Sequence, residues 1–415
     1  MPIITLFSGD FCKKDLVLPE LLLRTGYKLV NDKDIVAEAV RISGMAEEKI
    51  KRAFSAKTSM FNKFTHEKER ALSYLKLALA QKLSQDRLLI DGFSALLVPK
   101  EITHVLRVCL IADMKFRASV AGEKQELSQK EAIKFIHKQD EERVYWVDSL
   151  FGLKDPWDTE LYDMVISMDK TSTKESAALV AENLAKDVIK TTEASKKTIG
   201  DFLLAANVEV TLAQKGHNVD VSSKDGSVII TINKQVLMLS KLEEELRSIA
   251  TQVAGVQSVE TKVNKDYYKA DIYRKYDFEM PSKVLLVDDE REFVTALSER
   301  FIMRDMGSAV AYDGESALQM INTDEPEVMV LDLRMPGIDG IEVLRRVKKS
   351  RPDIEVIILT GHGDEKDRKI CMELGAFAYL QKPVDIDLLT DKLKRANEKV
   401  QKKKGSVYGI NGSEA

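Results

Sequence analysis

Five residues whose side chains can handle a phosphoryl group stand at the ends of short apolar runs in the last third of the chain. Val284–Val287 runs into Asp288, Asp289 and Glu290, and Val328–Leu331 into Asp332. Val356–Leu359 leads to Thr360, and Tyr379–Gln381 to Lys382 and Pro383. Unbroken apolar runs of this length suit strands covered on both faces by helices, as in a parallel sheet. Ligands of such sheets bind beyond the carboxyl ends of the strands. The pattern predicts that Asp288, Asp289, Asp332, Thr360 and Lys382 meet at one sheet edge. Three carboxylates gathered there repel one another unless a cation lies among them. The pattern holds no histidine or cysteine, so its donors are hard oxygens, which suit Mg²⁺. Asp332, on the central strand, can attack phosphorus as a carboxylate nucleophile. Lys382 can neutralise a phosphoryl oxygen, and the Thr360 hydroxyl can hydrogen-bond another.

The elements that must position these residues follow from the same stretch. Five βα units lie between Lys283 and about Val400, a length that fits one doubly wound α/β domain with a five-stranded parallel sheet. The whole chain has 415 residues, too many for one ordinary core, and two or three domains are expected. With 44% hydrophobic and 31% charged residues it reads as a soluble globular protein. A net charge of −4 gives no electrostatic case for a nucleic-acid partner. Cys12, Cys109 and Cys371 are too scattered for a disulfide framework or a metal site, which suggests a reducing, cytoplasmic setting. No apolar run approaches a membrane span, and the start lacks the features of a signal peptide.

Residues 1–190 alternate strands and helices and predict an α/β domain. Pro2–Phe7 reads as a strand, Ser8–Asp15 as a loop and Leu16–Arg24 as a helix, the layout of a phosphate-cradling loop. The detail is eroded: only Gly9 supplies a glycine, and Asp15 follows Lys13 and Lys14 where a hydroxyl would serve a metal. Helices are predicted over Lys63–Leu83, Ser128–Arg143 and Thr173–Thr191, with Ser128 and Glu131 forming a capping box. Strands are predicted over Arg87–Ile90, Val105–Leu110 and Asp163–Ser167. The polar stretch Thr191–Lys197 marks a boundary before a small α+β module over 191–265. Asp225-Gly226 predicts its hairpin turn, and a helix over Leu237–Val253 leads to a last strand ending at Val263. Residues 266–282 read as a linker and 401–415 as a flexible tail.

Three resemblances accompany these readings. Val-Asp-Asp-Glu at 287–290, Asp-Leu-Arg-Met-Pro-Gly-Ile-Asp-Gly at 332–340, Leu-Thr-Gly at 359–361 and Lys-Pro at 382–383 resemble the motifs of response-regulator receiver domains. That resemblance covers 283–400 and implies a two-component response regulator in which Asp332 accepts a phosphoryl group. The donor would be a histidine kinase or a phosphotransfer protein. It also implies Mg²⁺ held by Asp288, Asp289, Asp332 and the backbone carbonyl of Arg334. Thr360 and Tyr379 would form a switch pair, and Arg334 and His362 would tune the lifetime of the phosphoryl group. Residues 1–190 resemble cytidylate-kinase-like proteins through Ile4-Thr5-Leu6, Gly26–Leu29, Ala112–Arg117, Asp140–Arg143 and Asp158–Ile166. This implies a nucleotide pocket at Gly9, Lys13, Lys14, Arg117 and Arg143, although the eroded loop argues against turnover. The order helix, hairpin, helix, strand in 191–265 is similar to the BON domain, whose members bind partners or apolar ligands without catalysis.

The expected function is therefore a phosphoacceptor that relays its state through its N-terminal domains by altered docking or partner binding. The alternative is a phosphorylation-regulated cytidylate-type kinase or nucleotide sensor. A homodimer is compatible with either.

Overall fold

Each strand of the two larger sheets is short, and the central ones are buried along their whole length, because helices cover both of their faces. A computed structural model describes residues 1–56, 66–233, 239–264, 281, 283–302, 304, 306–361 and 363–407. The chain divides into two compact units, the first holding the strands up to residue 263 and the second those from residue 284.

In the first unit the order is β1 (Ile3–Ser8), α1 (Lys14–Thr25), β2 (Lys28–Asn31), α2 (Asp32–Ser43), α3 (Glu47–Lys51), α4 (Glu67–Leu83), β3 (Leu88–Asp91) and β4 (Val105–Ile111). It continues through α5 (Met114–Gln125), α6 (Gln129–Phe151), β5 (Met164–Ser167), α7 (Thr173–Leu184), α8 (Glu193–Gln214), β6 (Asp220–Lys224), β7 (Ser227–Ile232), α9 (Leu239–Ala250) and β8 (Ser258–Val263). The large sheet is wholly parallel, ordered β2-β3-β1-β4-β5. One face packs Ile3, Leu88 and Ile90 under Leu75 and Leu79 of α4. The other packs Ile4, Leu6 and Leu89 under Val17 and Leu21 of α1 and Val180 of α7. The capping box at the start of α6 forms as expected, with Ser128 and Glu131 each serving the other's backbone N–H.

Three expectations differ from what folds. Of the helix expected from Lys63, residues 63–65 lie outside the described residues, and the described helix begins at Glu67. The helix expected to reach Thr191 ends at Leu184, and a 3₁₀ turn over Asp187–Ile189 brings Ile189 back against the apolar layer under α1. Thr191–Lys197, expected as a boundary, holds the start of α8. The Ser195 N–H donates to Thr192 Oγ1, and the Thr192 N–H donates to Ser195 Oγ. The helix then places Ile199, Ala206 and Val210 in the same layer as α4.

The predicted hairpin joins β6 and β7, with Asp225 and Gly226 at φ 54° and 80° in the left-handed region that a tight two-residue turn demands. Strand β8 returns through α9 to pair parallel to β7, giving the expected order of helix, hairpin, helix and strand. The linker expected over 266–282 lies outside the described residues apart from Pro281.

In the second unit, strands β9 (Val284–Val287), β10 (Ser308–Ala311), β11 (Val328–Leu331), β12 (Glu355–Thr360) and β13 (Ala378–Gln381) alternate with five helices. These are α10 (Arg291–Ile302), α11 (Gly314–Thr323), α12 (Gly340–Ser350), α13 (Glu365–Glu373) and α14 (Ile386–Val407). The parallel order β10-β9-β11-β12-β13 puts β9 and β11 side by side in the interior. Leu285, Met329 and Val356 face α11 and α12, whereas Leu286, Val330 and Ile357 face α10 and α14. The tail expected from 401 is helical as far as Val407, where Gln401 hydrogen-bonds Glu327 at 3.2 Å. Residues 408–415 lie outside the described residues.

Candidate functional site

Because β9 and β11 are neighbours in register, Asp288 and Asp332 leave the sheet at the same edge, one residue past each strand. Both are buried, 4% exposed each, while Asp289 beside them is open to solvent. One carboxylate oxygen from each of the three lies within 4.8 Å of the others. Lys382, one residue past β13, reaches across with its Nζ 2.7 Å from Asp288 Oδ2, 2.9 Å from Glu290 Oε1 and 3.8 Å from Asp332 Oδ2. Thr360, fully buried, ends the intervening strand. The five residues predicted to converge do so.

Electrostatics follow from this crowding. Burial raises the Asp288 pKa, a push that Lys382 and the Glu290 N–H oppose. Burial works against the charge on Lys382, but Asp288 and Glu290 outweigh it and hold the ammonium above its ordinary pKa. Asp332 Oδ1 accepts the Leu333 N–H at 2.8 Å, while its other oxygen faces Lys382. The loop after β11 closes tightly: a Cβ at Gly340 would overlap the Asp332 carbonyl oxygen.

Around this centre, Arg334 pairs with Asp367 in the first turn of α13 at 3.3 Å. The buried Tyr379 hydroxyl packs where a Cβ of Gly363 would stand and has no hydrogen-bond partner among the described residues. Burial, then Asp367, raises the pKa of that phenol. His362 lies outside the described residues. Sequence reasoning missed Glu290 and Phe293, which share the Lys382 ammonium, the ring centroid standing 4.5 Å from Nζ. It also missed Asp367. Glu290 had a signal, since it directly follows the acid pair.

The second predicted site, the loop after β1, comes together differently. Gly9, Lys13, Lys14, Arg117 and Arg143 do surround one edge, but the cations are engaged internally. Arg143 donates to the Ser8 carbonyl at 2.8 Å and to Asp10 Oδ1 at 2.9 Å. Arg117 donates to the Asp10 carbonyl and forks onto both oxygens of Asp140, each at 2.8 Å. Lys14 pairs with Asp91 at 2.9 Å, and Lys13 sits 5.0 Å from the Phe116 ring centroid in left-handed backbone, φ 53°. Nearby, Asp32 accepts the N–H groups of Phe93 and Ser94 at 2.8 Å, filling a small anion cradle with a carboxylate of the chain itself. Asp10, Asp32 and Asp91 thus take up donors of this edge, Asp10 from Arg143, Asp32 from the backbone at Phe93 and Ser94, and Asp91 from Lys14.

Comparison with known proteins follows this division. Residues 284–394 match the response regulator receiver domain, and residues 3–170 match the cytidylate kinase-like family. The chain is 36% identical over 116 residues to sporulation initiation phosphotransferase F of Bacillus subtilis, covering 28% of this chain and 94% of that protein. It is 37% identical over 121 residues to the C4-dicarboxylate transport transcriptional regulatory protein DctD of Pseudomonas aeruginosa, covering 29% of this chain but only 26% of that protein. A solved structure of the Francisella response regulator 1452 receiver domain is 32% identical, with 30% of this chain and 98% of that one covered at a TM-score of 0.27. Among the described residues no helix is long and apolar enough to cross a membrane. Through residues 284–394, this chain belongs to the response regulator receiver family.

Proposed function

We propose that the chain is a two-component response regulator whose Asp332 accepts a phosphoryl group from a phosphohistidine of a histidine kinase or phosphotransfer protein. In that step an Asp332 carboxylate oxygen bonds to phosphorus, the P–N bond breaks and the imidazole leaves with its electron pair. The observation that carries the reading is the meeting of Asp288, Asp289, Asp332, Thr360 and Lys382 at the end of one parallel sheet. Mg²⁺ fits the three clustered carboxylates; Asp288, Asp289, Asp332 and the Arg334 carbonyl would hold it, and when bound it neutralises charge on the phosphoryl oxygens. Lys382 is the resting counter-charge of the acids and is placed to pair with a phosphoryl oxygen. Thr360 donates to another oxygen, and Tyr379 responds to its movement as the second half of a switch. Arg334 and His362 set how long the phosphoryl group persists.

The output is binding or docking by the regions before residue 265. Binding is favoured over nucleotide turnover there because Arg143, Arg117 and Lys14 each already hold a carboxylate. A phosphoacceptor of this kind works in the cytoplasm, where its three buried, unpaired cysteines stay reduced.

The test is incubation of the full chain and of Asp332→Asn with radiolabelled acetyl phosphate and Mg²⁺. Wild type should take up hydroxylamine-labile phosphate, and Asp332→Asn should take up none. A wild type that stays unlabelled, or a variant that labels equally, overturns the reading.

A further inference from the structure

A cavity of about 390 Å³ lies beneath the large sheet of the first unit, away from the loop after β1. This size lies within the range of small-molecule sites. Its wall is mostly apolar and aromatic: Phe7, Leu96, Leu150, Phe151, Leu161 and Tyr162. Phe7 and Tyr162 stack with their rings 13° apart and 6.4 Å between centroids, giving one flat side. Polar groups reach the cavity from neighbouring strands, where Thr5 of β1 stands in register with Arg107 of β4.

The charges on this wall are unequal. Three cationic residues, Lys76, Lys100 and Arg107, line the cavity with one acid, Glu101. Lys76 is neutralised by both oxygens of Glu209, at 3.0 and 3.1 Å. Arg107 is not so matched, although its side chain is only 13% exposed. Its Nη2 donates to the carbonyls of Pro99 and Ile102 and its Nη1 to that of Val105, all neutral acceptors. The nearest carboxylate, Asp163, stands 3.9 Å from Nη1, is half exposed, and already accepts the Arg107 backbone N–H at 2.8 Å. Burial accordingly outweighs Asp163 and Glu101 and lowers the pKa of the guanidinium. A buried cation compensated mainly by dipoles is costly, and a carboxylate is the partner a guanidinium fits best.

We infer that this cavity binds a small organic monocarboxylate with an aromatic or branched apolar tail, the carboxylate on Arg107 and the tail against Phe7, Phe151 and Tyr162. Such an anion would supply the missing charge and cover the apolar wall at once. The first unit would then report a metabolite independently of the chemistry at Asp332.

The test is calorimetric titration of the full chain with 3-phenylpropionate, with the uncharged 3-phenylpropionamide and with inorganic phosphate. The acid should saturate one site, the amide should bind at least about tenfold more weakly, and phosphate should not compete. Arg107→Gln should weaken the acid by about tenfold or more. Leu150→Trp, which narrows the cavity without touching the guanidinium, should weaken acid and amide alike, so the proposal stays testable if Arg107→Gln fails to fold. Asp332→Asn should bind the acid as wild type does, which separates this result from the fate of the receiver reading. Absence of saturation with the acid, equal binding of the amide, displacement by phosphate, or indifference to both cavity variants overturns the inference.

Discussion

At the scale of single residues, the receiver site is a balance of charges that Lys382 keeps in place. Its ammonium serves Asp288, Glu290 and, at longer range, Asp332, one cation placed among three acids at a partly buried edge. Gly340 does equally specific work without a side chain. The β11–α12 loop passes so close to the Asp332 backbone that any Cβ at 340 overlaps its carbonyl oxygen. Gly340→Ala should therefore destabilise the second unit by about 2 kcal/mol and displace the Asp332 carboxylate. Urea unfolding and the rate of acetyl-phosphate labelling measure the two effects, which should appear together. The cysteines are quiet by contrast. Burial raises the Cys12 and Cys371 thiols to about 11, so neither presents a reactive thiolate near neutrality.

At the scale of elements, legibility depended on distance along the chain. Asp288, Asp332, Thr360 and Lys382 were readable because each ends an apolar run, and a run's end is a local signal. The Asp225-Gly226 turn and the Ser128–Glu131 cap were readable for the same reason. Pairings set by topology were not: nothing local joins Arg143 to Asp10, or Asp32 to the backbone at Phe93 and Ser94. The start of α8 was read as a boundary because its Thr and Lys residues hide the apolar face that follows. Glu355, at the start of β12, is another long-range case: it is fully buried among Lys348, Lys399 and Lys403. Burial pushes its pKa up, but the three lysines prevail and hold it below the ordinary value of 4.5. A lowered carboxylate pKa gives stability that is complete above the ordinary range and lost as pH falls through the folded value. Glu355→Gln should thus cost about 2 kcal/mol at neutral pH, with the gap to wild type closing in acid. Urea unfolding at neutral and at acidic pH measures it; a gap that stays constant with pH would assign the effect to packing alone.

At the scale of the molecule, two parallel sheets each gather charged side chains at one edge. In the first unit Lys14, Arg117 and Arg143 of that edge pair with carboxylates of the chain itself. Within the first unit, α8 ties the small three-stranded sheet to the large one. Its buried Glu209 accepts from both Lys76 and Ser73 of α4. Glu209→Ala should lower the stability of that unit by about 3 kcal/mol. Amide hydrogen exchange should show α4 and α8 losing protection together, and loss confined to α8 would break the proposed unity. The strand order β2-β3-β1-β4-β5 also has a bearing on biosynthesis. The strand at the centre of the large sheet is made before either of its neighbours, β3 and β4. During translation β1 must wait, with its apolar residues unpaired, until Leu88–Ile111 have left the ribosome. In the receiver, β9 finds β10 soon after emerging. The first strand of the earlier domain thus stays without its sheet partners over a longer stretch of synthesis than the first strand of the later one.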